Sequence, residues 1–128
     1  MTKSKPRLRI VRSMSEALSL PRTAERILES LARAGRFLPV KELVKHVRMS
    51  ERSVRKHLSL LVRRGLLRRR AVPRGSRKIA YEYSLRPIQD MLNAARDDFA
   101  RTLQKLESAV RKLGRAKANP RSASSSRN

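Results

Sequence analysis

Apolar residues at spacings of three and four predict that the first half of the chain folds into short amphipathic helices. One helix is predicted from Thr23, which can cap its start, to Gly35, which can adopt the left-handed conformation that ends it. Its apolar face consists of Ala24, Ile27, Leu28 and Leu31. Before this helix, Ser13 and Glu16 have the spacing of a capping box and predict the start of another short helix.

Two further helices are predicted on either side of a tight turn. Residues 40–47 repeat the amphipathic spacing, and Ser50 can cap the helix that follows, with Met49 and Val54 forming a hydrophobic staple across the cap. At the other end of that helix, Gly65 and Leu66 fit a Schellman motif. Two helices joined by a tight turn are typical of a helix-turn-helix unit.

After Gly65 the period of the apolar residues changes from helical to alternating, which predicts β-strands. Residues 66–72 and 78–85 lie on either side of a Pro/Gly turn and predict a hairpin. In the second strand, one face is expected to carry Ile79, Tyr81, Tyr83 and Leu85. A hairpin directly after a helix-turn-helix is the wing of a winged domain.

A long helix is predicted from Pro87 to Leu113, where apolar residues continue in a mostly heptad-like pattern, with one irregular step between Phe99 and Leu103. One small domain cannot cover a helix of about 40 Å. The apolar face is therefore predicted to pair with a second copy of the chain. The predicted interface residues are Leu92, Ala95, Phe99, Leu103, Leu106, Val110 and Leu113.

These elements predict a mainly α fold with a small β-hairpin, a winged helix-turn-helix, followed by a long C-terminal helix that forms a coiled-coil-like dimer interface. The winged domain is expected at residues 13–86 and the dimerisation helix at 87–113. Residues 1–12 are basic and are expected to form a flexible arm, although the stretch from Leu8 to Val11 could instead add a short strand or segment to the core. Residues 114–128 are basic and rich in serine, so a disordered tail is expected there.

The charge of the chain points to a polyanionic partner. It has 33 Lys and Arg against 10 Asp and Glu, a formal net charge of +23 over 128 residues, far more than solubility requires. Twelve basic residues and one acidic residue lie in Arg48–Lys78, whereas Pro87–Leu113 contains five basic and four acidic residues. The helix-turn-helix and the hairpin are therefore predicted to bind the anion, and the long helix to bind protein.

The segment LPVKELVKHVRMSERSVRKHLSLLVRRGLLRRR resembles the winged-helix regulators of the ArsR and MarR type. The resemblance covers about residues 22–86 and implies binding of double-stranded DNA. It is carried by Leu43 in a small helix, Ser50 after the turn, the pair His57-Leu58, and the pair Gly65-Leu66 before the wing. The long helix is also similar to that of small archaeal winged-helix proteins, which implies a homodimer.

If Val54, Leu58 and Leu61 face the core, the opposite face of their helix is basic and suits a DNA major groove. Side chains near the start of this helix are expected to read bases, and those of the wing to contact phosphates or the minor groove. The predicted DNA-binding residues are Ser50, Arg52, Ser53, Arg55, Lys56, Ser59, Arg63, Arg69, Arg74, Arg77 and Lys78.

Other chemistry is not indicated by the sequence. The chain contains no cysteine, which excludes the cysteine pair of ArsR metal sensors, and its two histidines, His46 and His57, do not have the spacing of a metal site. We expect no metal, no cofactor and no catalytic activity, since no catalytic constellation is apparent. No apolar run is long enough to span a bilayer, so a cytoplasmic, nucleoid-associated protein with no membrane partner is expected.

The sequence is compatible with three functions. The first is a transcription regulator that binds double-stranded DNA as a homodimer, with the recognition helix in the major groove and the wing on the backbone or minor groove. The second is an architectural, chromatin-like protein of low sequence specificity, which the very high charge also suits. The third is a winged-helix protein of the ribosome or another RNA assembly, which the scarcity of aromatic side chains for base stacking disfavours.

Overall fold

The computed structural model describes residues 4–117, within which the chain forms five α-helices and three β-strands. The helices are α1 (Ser4–Ala17), α2 (Arg22–Ala34), α3 (Val40–Val47), α4 (Glu51–Arg63) and α5 (Ile88–Lys117). The strands are β1 (Leu38–Pro39), β2 (Leu67–Arg74) and β3 (Lys78–Leu85). The described chain divides into two compact units, and the boundary falls after Ala95, within α5. The expected mainly α fold with a small sheet and a long C-terminal helix is confirmed.

Helices α2, α3 and α4 pack against one another around an aliphatic core. Ile27 and Leu28 of α2, Leu43 of α3, and Val54 and Leu58 of α4 are all fully buried. Fully burying one such side chain stabilises the fold by roughly 1.5–3 kcal/mol. This packing fixes which side of α4 faces outward.

The two ends of α4 are capped as its sequence predicts. At the start, the Ser50 hydroxyl accepts a hydrogen bond from the Ser53 N–H, at 3.1 Å. At the end, Gly65 donates to the Val62 carbonyl and Leu66 donates to the Leu61 carbonyl, which are the two hydrogen bonds of a Schellman motif.

The cap of α2 is only partly as expected. Gly35 has a φ of +64° and ends the helix in the left-handed conformation, as predicted. The prediction that Thr23 caps its start is wrong, because Pro21 occupies the N-cap and no side chain caps the helix there. A proline, whose fixed φ suits the entry to a helix, replaces the hydroxyl cap.

The three strands form an antiparallel sheet in the order β1-β3-β2. The short link at residues 36–39 contributes β1, in which Leu38 pairs with Tyr83. At the base of the sheet Leu38, Leu67 and Tyr83 are buried against the helices. Further out the hairpin leaves the core, so that Ile79 is 64% exposed although it lies on the same face as Tyr83.

The expected flexible arm at residues 1–12 is wrong over its described part, because α1 begins at Ser4 and continues to Ala17. Val11, Met14 and Leu18 face the core at helical spacing and are buried there. Ser13 and Glu16 therefore lie within α1 and do not form the predicted capping box. The alternative, that Leu8 to Val11 adds a segment to the core, agrees with the burial of Val11, but the segment is part of a helix packed on α2. Residues 1–3 lie outside the described residues.

Helix α5 differs from the prediction at both ends. Near its start, Met91 and Ala95 belong to the core of the first unit, so Ala95 does not form part of an exposed interface. Near its end, the helix continues through Gly114 to Lys117, so the expected disordered tail is wrong for 114–117. One glycine costs a helix only about 1 kcal/mol relative to alanine, and good helix formers surround this one. The remainder of the expected tail lies outside the described residues.

Six apolar side chains of α5 are each between 39% and 60% exposed in the single chain. They are Leu92, Phe99, Leu103, Leu106, Val110 and Leu113. None of the described helices is both long enough and apolar enough to cross a membrane.

Candidate nucleic-acid interface

The outward face of α4 is strongly basic. Because Val54, Leu58 and Leu61 are fully buried, the residues on the opposite side are turned to solvent. The structure therefore brings together most of the predicted contacts of this helix on one exposed face: Arg52, Arg55, Lys56, Ser59 and Arg63. Ser53 is half-buried beside the cap.

The basic side chains of this face differ in their ion pairs and hydrogen bonds. The Arg55 guanidinium donates to the Glu51 carboxylate at 2.9 Å, and Arg63 donates to the Ser59 carbonyl at 3.4 Å. Arg52 and Lys56 make neither an ion pair nor a hydrogen bond with the described part of the chain. An exposed ion pair contributes at most about 1 kcal/mol, so Arg55 can exchange Glu51 for a phosphate or a base.

Two polar side chains near α4 have structural roles. The Ser50 hydroxyl is engaged in the helix cap. His57 is half-buried, and its Nδ1 lies 2.8 Å from the Ser53 carbonyl oxygen. Because a carbonyl oxygen only accepts, His57 must donate from Nδ1. This hydrogen bond links the His57 ring to the first turn of α4.

The tip of the wing is basic on both sides of its turn. Arg74 and Lys78 face each other across the hairpin, and Arg77 precedes Lys78 in the turn. All three are exposed, and within residues 4–117 none has an ion-pair partner. Gly75 has a φ of +75°, a conformation that favours glycine and allows this tight turn.

A cleft of about 370 Å³ lies between the start of α3, the middle of α4 and the wing. Four cations line it: Lys41, Arg55, Arg74 and Lys78. Its apolar wall is formed by Pro39, Val40, Ile79, Ala80 and Tyr81. Cationic side chains can bind phosphates, and apolar side chains can pack against sugars. The residues that line the cleft are therefore of the types that bind a nucleic-acid backbone.

Sequence reasoning missed Lys41 and the cleft. A lysine in the first turn of a helix opposes the helix dipole, which favours acidic residues there. That mismatch was the available signal that Lys41 has another role. Lys41 lies near the cations of α4 and the wing because of how α3 packs beside the wing. A local sequence pattern does not predict that packing.

The three consecutive arginines at the base of the wing are distributed between its two faces. Arg69 stacks on Tyr81, with its guanidinium carbon 4.3 Å from the ring centroid. Arg70 lies 4.2 Å from the centre of the Phe37 ring and donates to Glu82 at 2.8 Å. Arg69, the predicted contact, is therefore beside the cleft that Tyr81 lines, while Arg70 is engaged with its own chain.

The described residues contain no group of three or more His, Asp or Glu side chains that could hold a metal ion. The site consists of a basic helix, a basic wing and the cleft between them. This arrangement, on a three-helix core with an antiparallel hairpin, defines a winged helix-turn-helix domain.

Comparison with known proteins agrees with this class. Residues 18–78 match the sequence profile of the MarR family. Of the two families that the sequence resembles, ArsR and MarR, this match supports MarR. No curated protein sequence matches the chain.

Three solved structures have a similar fold. A possible transcriptional regulator from Methanosarcina mazei is 15% identical, with a TM-score of 0.63, over 80% of this chain and 87% of that one. A protein from Sulfolobus tokodaii is 20% identical, with a TM-score of 0.58, over 81% and 98%. A MepR variant from S. aureus, bound to an oligodeoxyribonucleotide, is 20% identical, with a TM-score of 0.51, over 98% and 92%.

Proposed function

We propose that this protein is a MarR-type transcription regulator that binds double-stranded DNA as a homodimer. The observation that carries the proposal is the exposed basic face of α4, where Arg52 and Lys56 have no partner among the described residues. An α-helix fits the major groove, where arginine and lysine can donate to guanine O6 and N7. As a DNA-bound regulator, the protein would be cytoplasmic and associated with the nucleoid.

The wing and the cleft complete the proposed interface. With α4 in the major groove, one strand of the backbone would enter the cleft between Lys41, Arg55 and the wing. The tip residues Arg74, Arg77 and Lys78 would contact phosphates or the adjacent minor groove. The MarR profile match and the fold shared with a DNA-bound MepR variant support this assignment.

The homodimer is proposed from the exposed apolar stripe of α5. Leaving six large apolar side chains in water forgoes several kcal/mol of burial free energy, and a row of exposed apolar side chains along one helix marks an interaction surface. A twofold dimer would present two recognition helices to successive major grooves, about 34 Å apart on one face of the duplex.

The experiment that tests the proposal is selection of bound duplexes from a random pool, followed by affinity measurements on the enriched sequence. A regulator yields a motif with two half-sites and binds it roughly a thousandfold more tightly than random duplex. Failure to enrich any motif, with tight binding to every duplex, would overturn the regulatory assignment.

One observation favours a second candidate, an architectural DNA-binding protein. The net charge of +23 exceeds what a single recognition helix and wing need. Neutralising phosphates is independent of sequence and gives a steep loss of affinity with salt. In the selection experiment this function predicts a steep salt dependence together with a specificity ratio near one.

A further inference from the structure

The exposed stripe of α5 is a regular heptad seam once Ala95 is assigned to its own core. Leu92, Phe99, Leu106 and Leu113 recur every seven residues and occupy one seam position, d. The other seam position, a, is occupied by Arg96, Leu103 and Val110. The irregular step in the sequence pattern arises only when Ala95, which is buried, is counted in the seam.

One seam position is charged. Arg96 is exposed, lies between Leu92 and Phe99 on the seam, and makes no ion pair with the described residues of its own chain. In a parallel, in-register pair each seam residue meets its own copy by symmetry. Two Arg96 guanidinium groups would then face each other in an otherwise apolar seam, which is unfavourable. In an antiparallel pair, Arg96 instead meets an apolar residue of the partner, and its guanidinium can reach solvent along the seam edge.

The charge on the outer faces of α5 is also divided along its length. The first part of the second unit contains Asp97 and Asp98, balanced by Arg96 and Arg101. Residues 103–115 contain one acidic residue, Glu107, and four basic ones: Lys105, Arg111, Lys112 and Arg115. A parallel pair would bring two such basic ends together, whereas an antiparallel pair brings each beside the aspartates of its partner.

We infer that the two α5 helices of the dimer run antiparallel. The inference rests on the proposed homodimer and specifies how its second copy docks. The positions flanking the seam cannot set the orientation by themselves, because they are mainly small and uncharged. These flanking residues are Asn93, Ala100 and Glu107 on one side, and Thr102 and Ala109 on the other.

The orientation can be measured with spin labels, because the chain has no cysteine and any introduced one is unique. Ser108→Cys and Arg115→Cys place labels seven residues apart on the outer side of the helix, away from the seam. In an antiparallel pair, moving the label from 108 to 115 increases the separation of the two labels along the helix axis by about 21 Å, twice the rise of seven residues. The measured distance between the labels is therefore clearly longer at 115 than at 108. In a parallel pair the two distances are equal.

Each outcome decides a different claim. A dimer whose label distance is clearly longer at 115 than at 108 supports the antiparallel pair. A dimer with equal distances at the two positions overturns the orientation and leaves the proposed homodimer intact. A monomeric mass in sedimentation, with no intermolecular distance, overturns the homodimer itself.

A charge exchange gives an independent test of the same orientation. Lys112→Glu removes an attraction to the partner's acidic segment in the antiparallel pair and weakens dimerisation about threefold. In a parallel pair the same change relieves repulsion and strengthens the dimer. Adding Asp97→Lys to Lys112→Glu should restore the dimerisation affinity of an antiparallel pair to within about twofold of the original. A double variant that dimerises no better than Lys112→Glu alone would contradict the antiparallel orientation.

Discussion

The carboxylate of Glu51 holds the guanidinium of Arg55 at 2.9 Å on the exposed face of α4. Glu51 is the one acidic residue in the segment Arg48–Lys78, and it lies at the start of α4. Arg55 also lines the cleft between α3, α4 and the wing. A bound duplex would therefore compete with Glu51 for Arg55.

Replacing this carboxylate should strengthen DNA binding. Glu51→Gln removes a negative charge from the interface and frees Arg55, so affinity for duplex DNA should rise about threefold at moderate salt. Fluorescence anisotropy with a labelled duplex measures the change. The matched control is Glu29→Gln on α2, which removes the same charge from the Arg12 ion pair away from α4. Weaker binding by Glu51→Gln would show that the carboxylate has a positive role at the interface.

The cap of α4 should be a measurable part of domain stability. Ser50→Ala removes the acceptor for the Ser53 N–H and should lower the free energy of unfolding by about 1 kcal/mol. Chemical denaturation gives the value. Ser59→Ala, an exposed change on the same helix that leaves the cap intact, should have an effect of no more than about 0.5 kcal/mol. Equal effects of the two variants would contradict the cap assignment.

Gly65 is required for two reasons, and a matched glycine separates them. Its φ is +79°, and a Cβ there would lie 2.8 Å from the Ala94 Cβ. Gly75 has a φ of +75° with open space around it. Gly75→Ala should therefore cost about 1 kcal/mol from backbone strain alone. Gly65→Ala should cost at least about 2 kcal/mol more, as expected for overpacking. Unfolding curves of the two variants give the comparison, and equal losses would show that α5 adjusts to the added methyl.

The apolar seam of α5 should control the oligomeric state without affecting the fold of one chain. Leu106 is 60% exposed in the single chain, so Leu106→Asp should leave the monomer folded. Burying a carboxylate against the partner's apolar residues is costly, and the variant should be monomeric at concentrations where the original chain is dimeric. Sedimentation equilibrium reports the mass, and Gln104→Asp on the outer side is the control. A Leu106→Asp protein that stays dimeric would exclude this seam.

Local sequence signals were sufficient where the structure is determined by neighbours in the chain. The cap at Ser50 and the Schellman motif at Gly65 depend on residues within a few positions, and both are present as predicted. The alternating residues of the hairpin were also identified, although Tyr83 is buried and Ile79 is exposed on the same face. Tyr83 is buried and Ile79 is exposed because the helices cover only the base of the sheet. The alternation of residues along a strand does not show how far this cover extends.

Predictions failed where burial depends on a distant element. Val11 is fully buried only because α1 packs on α2, and the basic residues around it suggested an arm. Ala95 and Leu92 both fit the long apolar stripe, yet only Ala95 lies in the core of its own unit. Lys41 enters the site through the packing of α3 beside the wing.

The central claim is that the outward face of α4 binds DNA. The most direct test is the affinity of the double variant Arg52→Ala/Lys56→Ala for duplex DNA. The control is Arg26→Ala/Arg33→Ala, which removes the same charge from the exposed surface of α2. We expect the α4 variant to lose at least about 2 kcal/mol of binding free energy, roughly thirtyfold in affinity. The α2 variant should stay within about threefold of the original affinity. Equal losses in both variants would contradict the claim, since they would show that total charge alone determines binding.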